Sequence, residues 1–354
     1  MLQITLKVFF EADALCFVIS YRDIAKRAGV STMTVSRAMR GDPKVRAVTA
    51  QKVEAAAQAL GYVRNPIADS FMKQVRSKRV LSGVSRIAWV YPEKVNSGAH
   101  VIDAYYRGAC EAARASGFEV DRFVLGEALS SRSLRRILQA RGIRGMLISP
   151  TVGDLVDFDF DFEGFAAVMF GYSLRSPDMN RVSSHHSVNQ FALLAHIREL
   201  GYRDVLYVSN WQQERRLNFG WLASTLAFGR EHQSEMRIRH VYLDDFEEAL
   251  ATGGSSLQLP EVIVSCHQSL IGRLEQIGCR IPEDVGFVSP TVRPEGYRGR
   301  RLAGMNQCSE LIGARAVELL SDSLAMNRLG VPEHPVTLLV RGQWCDGETL
   351  QSKC

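Results

Sequence analysis

No run of eighteen apolar residues occurs in this 354-residue chain, which excludes a membrane-spanning helix. No Cys-x-x-Cys pair occurs either. The seven cysteines (Cys16, Cys110, Cys266, Cys279, Cys308, Cys345 and Cys354) are scattered without a repeated spacing, which argues against a zinc site or a disulfide scaffold. Their odd number in a long chain fits reduced thiols in the cytoplasm, most of them buried and inert. Also missing are GxSxG, HExxH and a glycine-rich phosphate loop after the apolar stretch Ile87–Val90. The common signatures of hydrolases, zinc proteases and nucleotide-using enzymes are therefore absent, and no enzyme is expected. His185, His186 and His267 invite a metal reading, but adjacent side chains on a strand point to opposite faces. No Cys or carboxylate stands beside them at ligand spacing, so neither a metal nor a cofactor is expected.

What is present is an uneven charge. The chain carries a net +5, yet Tyr21–Val80 holds 13 Lys or Arg against 4 Asp or Glu, a net +9, and the remainder is net −4. A field concentrated in one small N-terminal module suits a polyanionic partner. Within it, Tyr21–Ala38 reads YRDIAKRAGVSTMTVSRA. Asp23–Ala28 and Thr32–Met39 are two short helices with one apolar face each: Ile24, Ala25 and Ala28 on the first, Val35 and Ala38 on the second. Gly29-Val30 is the turn between them, and Ser31 is placed to cap the second helix. Such a pair is either an ordinary helical hairpin or a helix-turn-helix, whose second helix enters the DNA major groove. Position near the N-terminus, a basic surround and a third helix favour the latter. That helix is expected over Ala50–Leu60, capped by Thr49, with Val53, Ala56, Ala57 and Leu60 closing a small core against Ile24, Val35 and Met39.

The flanks differ. Residues 1–19 form an apolar extension interrupted by Glu11 and Asp13, with neither a basic start nor a small-residue cleavage site, so a signal peptide is not expected. After the head, Asn65 and Pro66 open a short helix ending near Gln74, followed by a basic linker to residue 85. From Arg86 onward short apolar strands alternate with amphipathic helices: strands at Ile87–Val90, Phe118–Leu125, Gly145–Ser149, Phe165–Phe170, Val205–Val208, Arg239–Leu243, Val262–Ser265, Val285–Ser289 and Val336–Arg341, and helices at Ile102–Ser116, Ser131–Arg141, Val188–Leu200, Leu217–Phe228, Leu270–Ile277 and Ser309–Leu324. This alternation means parallel sheets covered on both faces, and the number of units suggests two subdomains with a cleft between them.

These residues resemble the lactose-repressor (LacI/GalR) family of bacterial transcription regulators. The resemblance is sharpest at DIAKRAGVSTMTVSRAM (Asp23–Met39) and VEAAAQALGYVRNPIA (Val53–Ala68). It is looser at PEDVGFVS (Pro282–Ser289) and LVRGQW (Leu339–Trp344). It implies a small all-α helix-turn-helix head on an α/β, periplasmic-binding-protein-like core of two doubly wound parallel-sheet subdomains. Residues 20–64 would be the head and 65–85 the hinge helix and linker. The core would pair 86–182 with 291–335, and 183–290 with 336–354.

The family resemblance also implies roles. Thr32, Met33 and Arg37 would meet base edges. Arg37 has its own case, since a guanidinium pairs bidentately with guanine, and Met33 suits a thymine methyl. Ser31, Thr34, Ser36 and Asn65 would contact the DNA backbone, or simply be solvated in the case of Thr34 and Ser36. Ala68 and Phe71 would enter the minor groove from the hinge helix. The family commonly has Leu where this chain has Phe71 and Arg where it has Asp69. Tyr91, His185, Arg216, Asn218, His267 and Gln307 are the candidate effector contacts. His185-His186 stands where the family often has Asp-Asn, and Cys266-His267 where it has a second Asp. Trp211 and Trp221 are further candidates to stack on a ligand ring.

The implied function is a cytoplasmic, sequence-specific regulator that represses transcription. It would bind palindromic double-stranded operator DNA as a homodimer (a tetramer is also open), with affinity modulated by a small metabolite such as a sugar. One rival is a regulator whose core has lost small-molecule sensing and acts through dimerisation or a protein partner. A more remote rival is an enzyme on the α/β core.

Overall fold

The computed structural model describes residues 20–39, 45–60, 62, 85–92, 100–152, 155–252, 258–293 and 295–353. The chain divides into two compact units, Met1–Lys73 and Gln74–Cys354. The extension 1–19, the hinge-helix candidates Asn65, Ala68 and Phe71, and most of the linker lie outside the described residues.

The first unit contains α1 (Tyr21–Ala28), α2 (Thr32–Ala38) and α3 (Ala47–Ala59). At the start of α1, the Ser20 amide and hydroxyl both donate to the Asp23 carboxylate, at 2.8 and 2.6 Å. Asp23 thereby satisfies donors at the positive end of the helix. The turn after α1 needs Gly29 at φ +67°, a left-handed conformation that disfavours a Cβ. Helix α3 begins three residues earlier than the expected Ala50, with Arg46 rather than Thr49 at its N-cap. The core is as small as the apolar stripes suggest: Ile24, Val35 and Val53 are fully buried, joined by Ala25, Ala56 and Ala57. Tyr21 and Tyr62 pack across its edge with ring centroids 5.7 Å apart.

The second unit holds two six-stranded sheets. The strands are β1 (Ser85–Tyr91), β2 (Phe118–Val124), β3 (Gly145–Ile148), β4 (Val156–Asp157), β5 (Ala166–Phe170), β6 (Leu174–Ser176), β7 (Arg181–Ser184), β8 (Asp204–Ser209), β9 (Arg237–Tyr242), β10 (Val262–Val264), β11 (Gly286–Ser289), β12 (Ala303–Asn306), β13 (Thr337–Val340) and β14 (Gln343–Cys345). The helices are α4 (His100–Ala115), α5 (Ser131–Ala140), α6 (His186–Glu199), α7 (Trp211–Arg216), α8 (Gly220–Glu231), α9 (Leu243–Ala251), α10 (Ser269–Gln276) and α11 (Ser309–Ala325). The first sheet runs β13-β7-β5-β3-β1-β2 and is parallel throughout. The second runs β14-β12-β11-β10-β8-β9, and only the β12–β14 pair is antiparallel. This is the expected architecture of a helical head and an α/β core with two doubly wound sheets.

Several elements escape the sequence pattern. β7 reads RVSS and β12 reads AGMN, too polar or too small to stand out, yet both are buried within the sheets. The helix expected over Leu217–Phe228 begins only at Gly220, as α8, because Asn218 and Phe219 have left-handed φ values of 52° and 56°; the short α7 before it was not expected. The chain crosses between sheets after β7, after β12 and after β13. The second crossing therefore falls near residue 307 rather than at 290/291, because β12 completes the second sheet before α11 returns to the first.

Helix α11 packs closely along α4. A Cβ on Gly313 would lie 2.0 Å from the Tyr105 carbonyl oxygen, and one on Gly108 1.9 Å from that of Glu310. Only hydrogen fits at either point. Beneath them lies a core containing Trp89, Phe170, Ile312 and Leu320.

Candidate nucleic-acid interface and core cleft

Helix α2 carries the head's candidate contacts. Val35 faces inward and is fully buried, whereas Thr32, Met33 and Arg37 are exposed, Met33 to 64%. A 3.6-residue period puts Met33 and Arg37 on the side of α2 away from Val35, and Thr32 is exposed as the first residue of the helix. Exposure of Met33 is notable, since an apolar side chain left in water gains from covering. The Ser31 hydroxyl accepts the Thr34 amide at 3.1 Å and lies 2.9 Å from the Thr34 hydroxyl. Both side chains are thus engaged in capping. Ser36 and Thr34 are half-buried. With Lys26 and Arg27 in the last turn of α1 and no acidic residue on α2, the exposed side is cationic.

The second unit contains a cleft of about 390 Å³, a volume suited to a small molecule. Its walls come from the carboxyl ends of strands in both sheets: Pro150–Val152 after β3, Gly171–Ser173 after β5, Ser183 and Ser184 of β7, Cys266 and His267 after β10, Thr291 after β11 and Gln307 after β12. Open α/β sheets bind ligands at this end. Gln213, Arg216, Leu217 and Trp221 add a wall from α7 and α8, and Arg293 lies at the margin.

Of the six effector candidates, Arg216, His267 and Gln307 line this cleft. His185 does not; its place is taken by His186. Helix α6 starts at His186 rather than Val188, so His185 becomes the N-cap, and its ring nitrogen accepts the Val188 amide at 3.5 Å. His186 turns to the cleft, edge-on to Trp221 at 5.5 Å, and burial beside His185 pushes its pKa down to about 4. Tyr91 is buried in the core of the first sheet, its hydroxyl accepting from Arg122 at 2.9 Å. Asn218 is spent on the left-handed turn between α7 and α8. Trp211 packs on Phe219 and Tyr242, off the cleft, whereas Trp221 lines it.

Buried polar contacts hold the walls. Glu214 accepts the Tyr207 hydroxyl and the Leu222 amide, the latter at 3.1 Å, fixing α7 and α8 against β8. Burial raises the pKa of Glu214, though both bonds oppose that shift. The Cys266 thiol donates to Gln213 Oε1 at 2.8 Å and is pushed up to about 12 by burial, so it remains a thiol. Arg216 donates to the Val152 carbonyl, bridging the two walls. Gln307 Nε2 donates to the Pro290 carbonyl, while its Oε1 accepts from the Ser184 hydroxyl and from Asn189 Nδ2. Asn189 also donates to Ser184 Oγ at 2.9 Å and accepts the Gly342 amide at 2.8 Å. One buried amide therefore touches all three crossovers. Its role was invisible in sequence, because Ser184, Gln307 and Gly342 are far apart in the chain.

No group of three or more His, Cys, Asp or Glu able to hold a metal occurs among the described residues, and none of their helices is long and apolar enough to cross a membrane.

Residues 20–65 match the model of the bacterial regulatory proteins, lacI family. Over 46 residues the chain is 56% identical to the HTH-type transcriptional regulator GntR of Pseudomonas aeruginosa, a match covering 13% of each chain. Over 344 residues it is 21% identical to the HTH-type transcriptional repressor MelR of Bacillus subtilis, covering 92% of this chain and 97% of that protein. The fold is similar to the lac repressor dimer bound to operator and the anti-inducer ONPF, with TM-score 0.54 at 17% identity over 94% of this chain and 98% of that one. It is equally similar to a CelR–cellobiose complex, with TM-score 0.54 at 18% identity over 94% and 99%. At these identities the solved structures establish the fold, while the head match establishes the DNA-binding module. Residues 20–65 thus carry the helix-turn-helix module of the lacI family of bacterial regulatory proteins, and over most of its length the chain is similar to DNA-binding transcription regulators of that type.

Proposed function

We propose that this regulator represses transcription by binding a near-palindromic operator as a homodimer, and that a small metabolite in the core cleft modulates its affinity. The observation that carries this is the pairing, in one chain, of an exposed Thr32/Met33/Arg37 face with a cleft between two sheets. Arg37 reads a guanine edge, Thr32 and Met33 read neighbouring bases, and Ser31, Thr34, Ser36 and Asn65 set register on phosphates. Ala68 and Phe71 enter the central minor groove. Two-fold DNA symmetry matches a two-fold dimer, one half-site to each protomer. Rearrangement of the cleft walls alters the separation of the hinge segments, which links effector and operator affinity. MelR is named a repressor, the lac repressor structure is bound to operator and the anti-inducer ONPF, and the CelR structure is a complex with cellobiose, which supports this reading by similarity.

The test is selection of bound duplexes from a random pool by the purified full-length protein. An inverted repeat is the expected product, with relaxed preference at one half-site position for Arg37→Ala. Recovery of no shared sequence, with only salt-sensitive general binding, overturns the proposal.

A further inference from the structure

The cleft's polar inventory is lopsided, and on the proposed effector function this bears on what enters it. None of the described residues lining it is acidic. Neutral sugars need acceptors for their hydroxyl protons, and the carboxamide oxygens of the wall, the strongest neutral side-chain acceptors there, are already in use. Gln213 Oε1 accepts the Cys266 thiol. Gln307 Oε1 accepts from Ser184 and Asn189. Ser173 Oγ accepts the Thr151 amide at 2.9 Å. Donors are in surplus. Trp221 is 3% exposed, and its indole N–H is buried without a partner. An indole nitrogen can only donate. His186 Nδ1 and His267 Nε2 are likewise buried without partners, each a donor or an acceptor according to its tautomer. Gln213 keeps its amide N–H groups, and the exposed Arg293 adds a guanidinium at the margin. A buried polar group without a partner is costly, so such groups mark where ligand atoms belong. The apolar share of the wall, Ile102, Tyr105, Val152 and Leu217, suits a carbon skeleton.

We infer that the cleft takes a small hydroxylated metabolite bearing a carboxylate or a phosphate, its anionic oxygens accepting from Arg293 and the Trp221 indole. Both anions present several acceptor oxygens and no proton of their own to place, which fits a site of donors. The two imidazoles remain neutral, since burial lowers both pKa values, His186 to about 4. Each can still donate from one nitrogen.

The experiment is thermal shift with calorimetric titration on the full-length protein, using four probes: gluconate, glucose 6-phosphate, inorganic phosphate and glucose. A ligand that binds only the native state raises Tm. Stabilisation by gluconate alone identifies the carboxylate class, and by glucose 6-phosphate above inorganic phosphate the phosphate class. For the responding anion, Arg293→Gln should weaken binding by about tenfold or more, as expected for a hydrogen bond to a charged group. Trp221→Phe, which keeps an aromatic ring and removes the donor, should weaken it as well. Arg293 is exposed, so its replacement leaves folding intact. Stabilisation by glucose in preference to both organic anions overturns the anionic class and leaves the sensing cleft standing. Equal response to inorganic phosphate and glucose 6-phosphate overturns the hydroxylated-metabolite assignment. No response to any probe overturns this inference and removes support for the sensing cleft, while the DNA selection still judges the regulator.

Discussion

Replacing Asn189 with alanine should loosen the three crossovers of the core at once. Asn189 is 2% exposed, and its side chain reaches Ser184 Oγ at 2.9 Å, Gln307 Oε1 at 2.8 Å and the Gly342 amide at 2.8 Å. Each buried hydrogen bond contributes about 1 kcal/mol net, and a buried amide left without a partner costs roughly 1–3 kcal/mol. Gln307 and Ser184 still bond each other in the variant, so the Gly342 amide is the main orphan. The expected loss is about 3 kcal/mol, the sum of these terms less some relaxation. For a chain of this size that lowers Tm by roughly 4–5 °C. Urea unfolding should show a lower midpoint with an unchanged slope, because the surface exposed on unfolding is the same. Hydrogen exchange should speed up at Gly342 in particular. A loss below about 1 kcal/mol, or undiminished protection at Gly342, refutes the idea that this amide ties the crossovers together.

Other substitutions probe other links. Ser31→Ala removes the cap on the Thr34 amide and should destabilise the head by about 1 kcal/mol, read by circular dichroism of the isolated transition or by operator affinity. Arg37→Ala should cost roughly 1–3 kcal/mol of discrimination at one base pair of each half-site, measured against operator variants, while general binding persists. Gly313→Ala forces a methyl to within 2.0 Å of the Tyr105 carbonyl oxygen and should prevent normal packing of α11 on α4, seen as loss of soluble folded protein. The His186 pKa of about 4 lies below the ordinary 6.5, so between these values the unfolded chain binds a proton that the folded one refuses. Its contribution is fully present above about pH 6.5 and is lost as pH falls toward 4, with a ceiling of about 3 kcal/mol. His186→Asn should flatten the stability profile across that window, and an unchanged profile would rule out His186 as its source.

The head was legible from sequence because its structure is local. Apolar spacing in Asp23–Met39, a glycine at the turn and a serine cap are short-range signals, and the core they imply closes over fewer than fifty residues. Two doubly wound sheets were legible too, since strands buried on both faces must be apolar. The strands that escaped, RVSS at β7 and AGMN at β12, are buried by neighbours distant in sequence, so their own composition carried no sign of it. The cleft divided along the same line. Arg216, His267 and Gln307 were named through the family resemblance, which places them near strand ends and crossovers. His186 was confused with His185, because a two-residue shift in a helix start exchanges a cap for a cleft side chain. Asn189, Gln213 and Arg293 carry no local mark of their roles. Periodicity and turn chemistry reside in the chain itself, whereas which amide oxygens are already occupied, and which buried N–H groups still want a partner, is decided only when segments far apart in sequence meet.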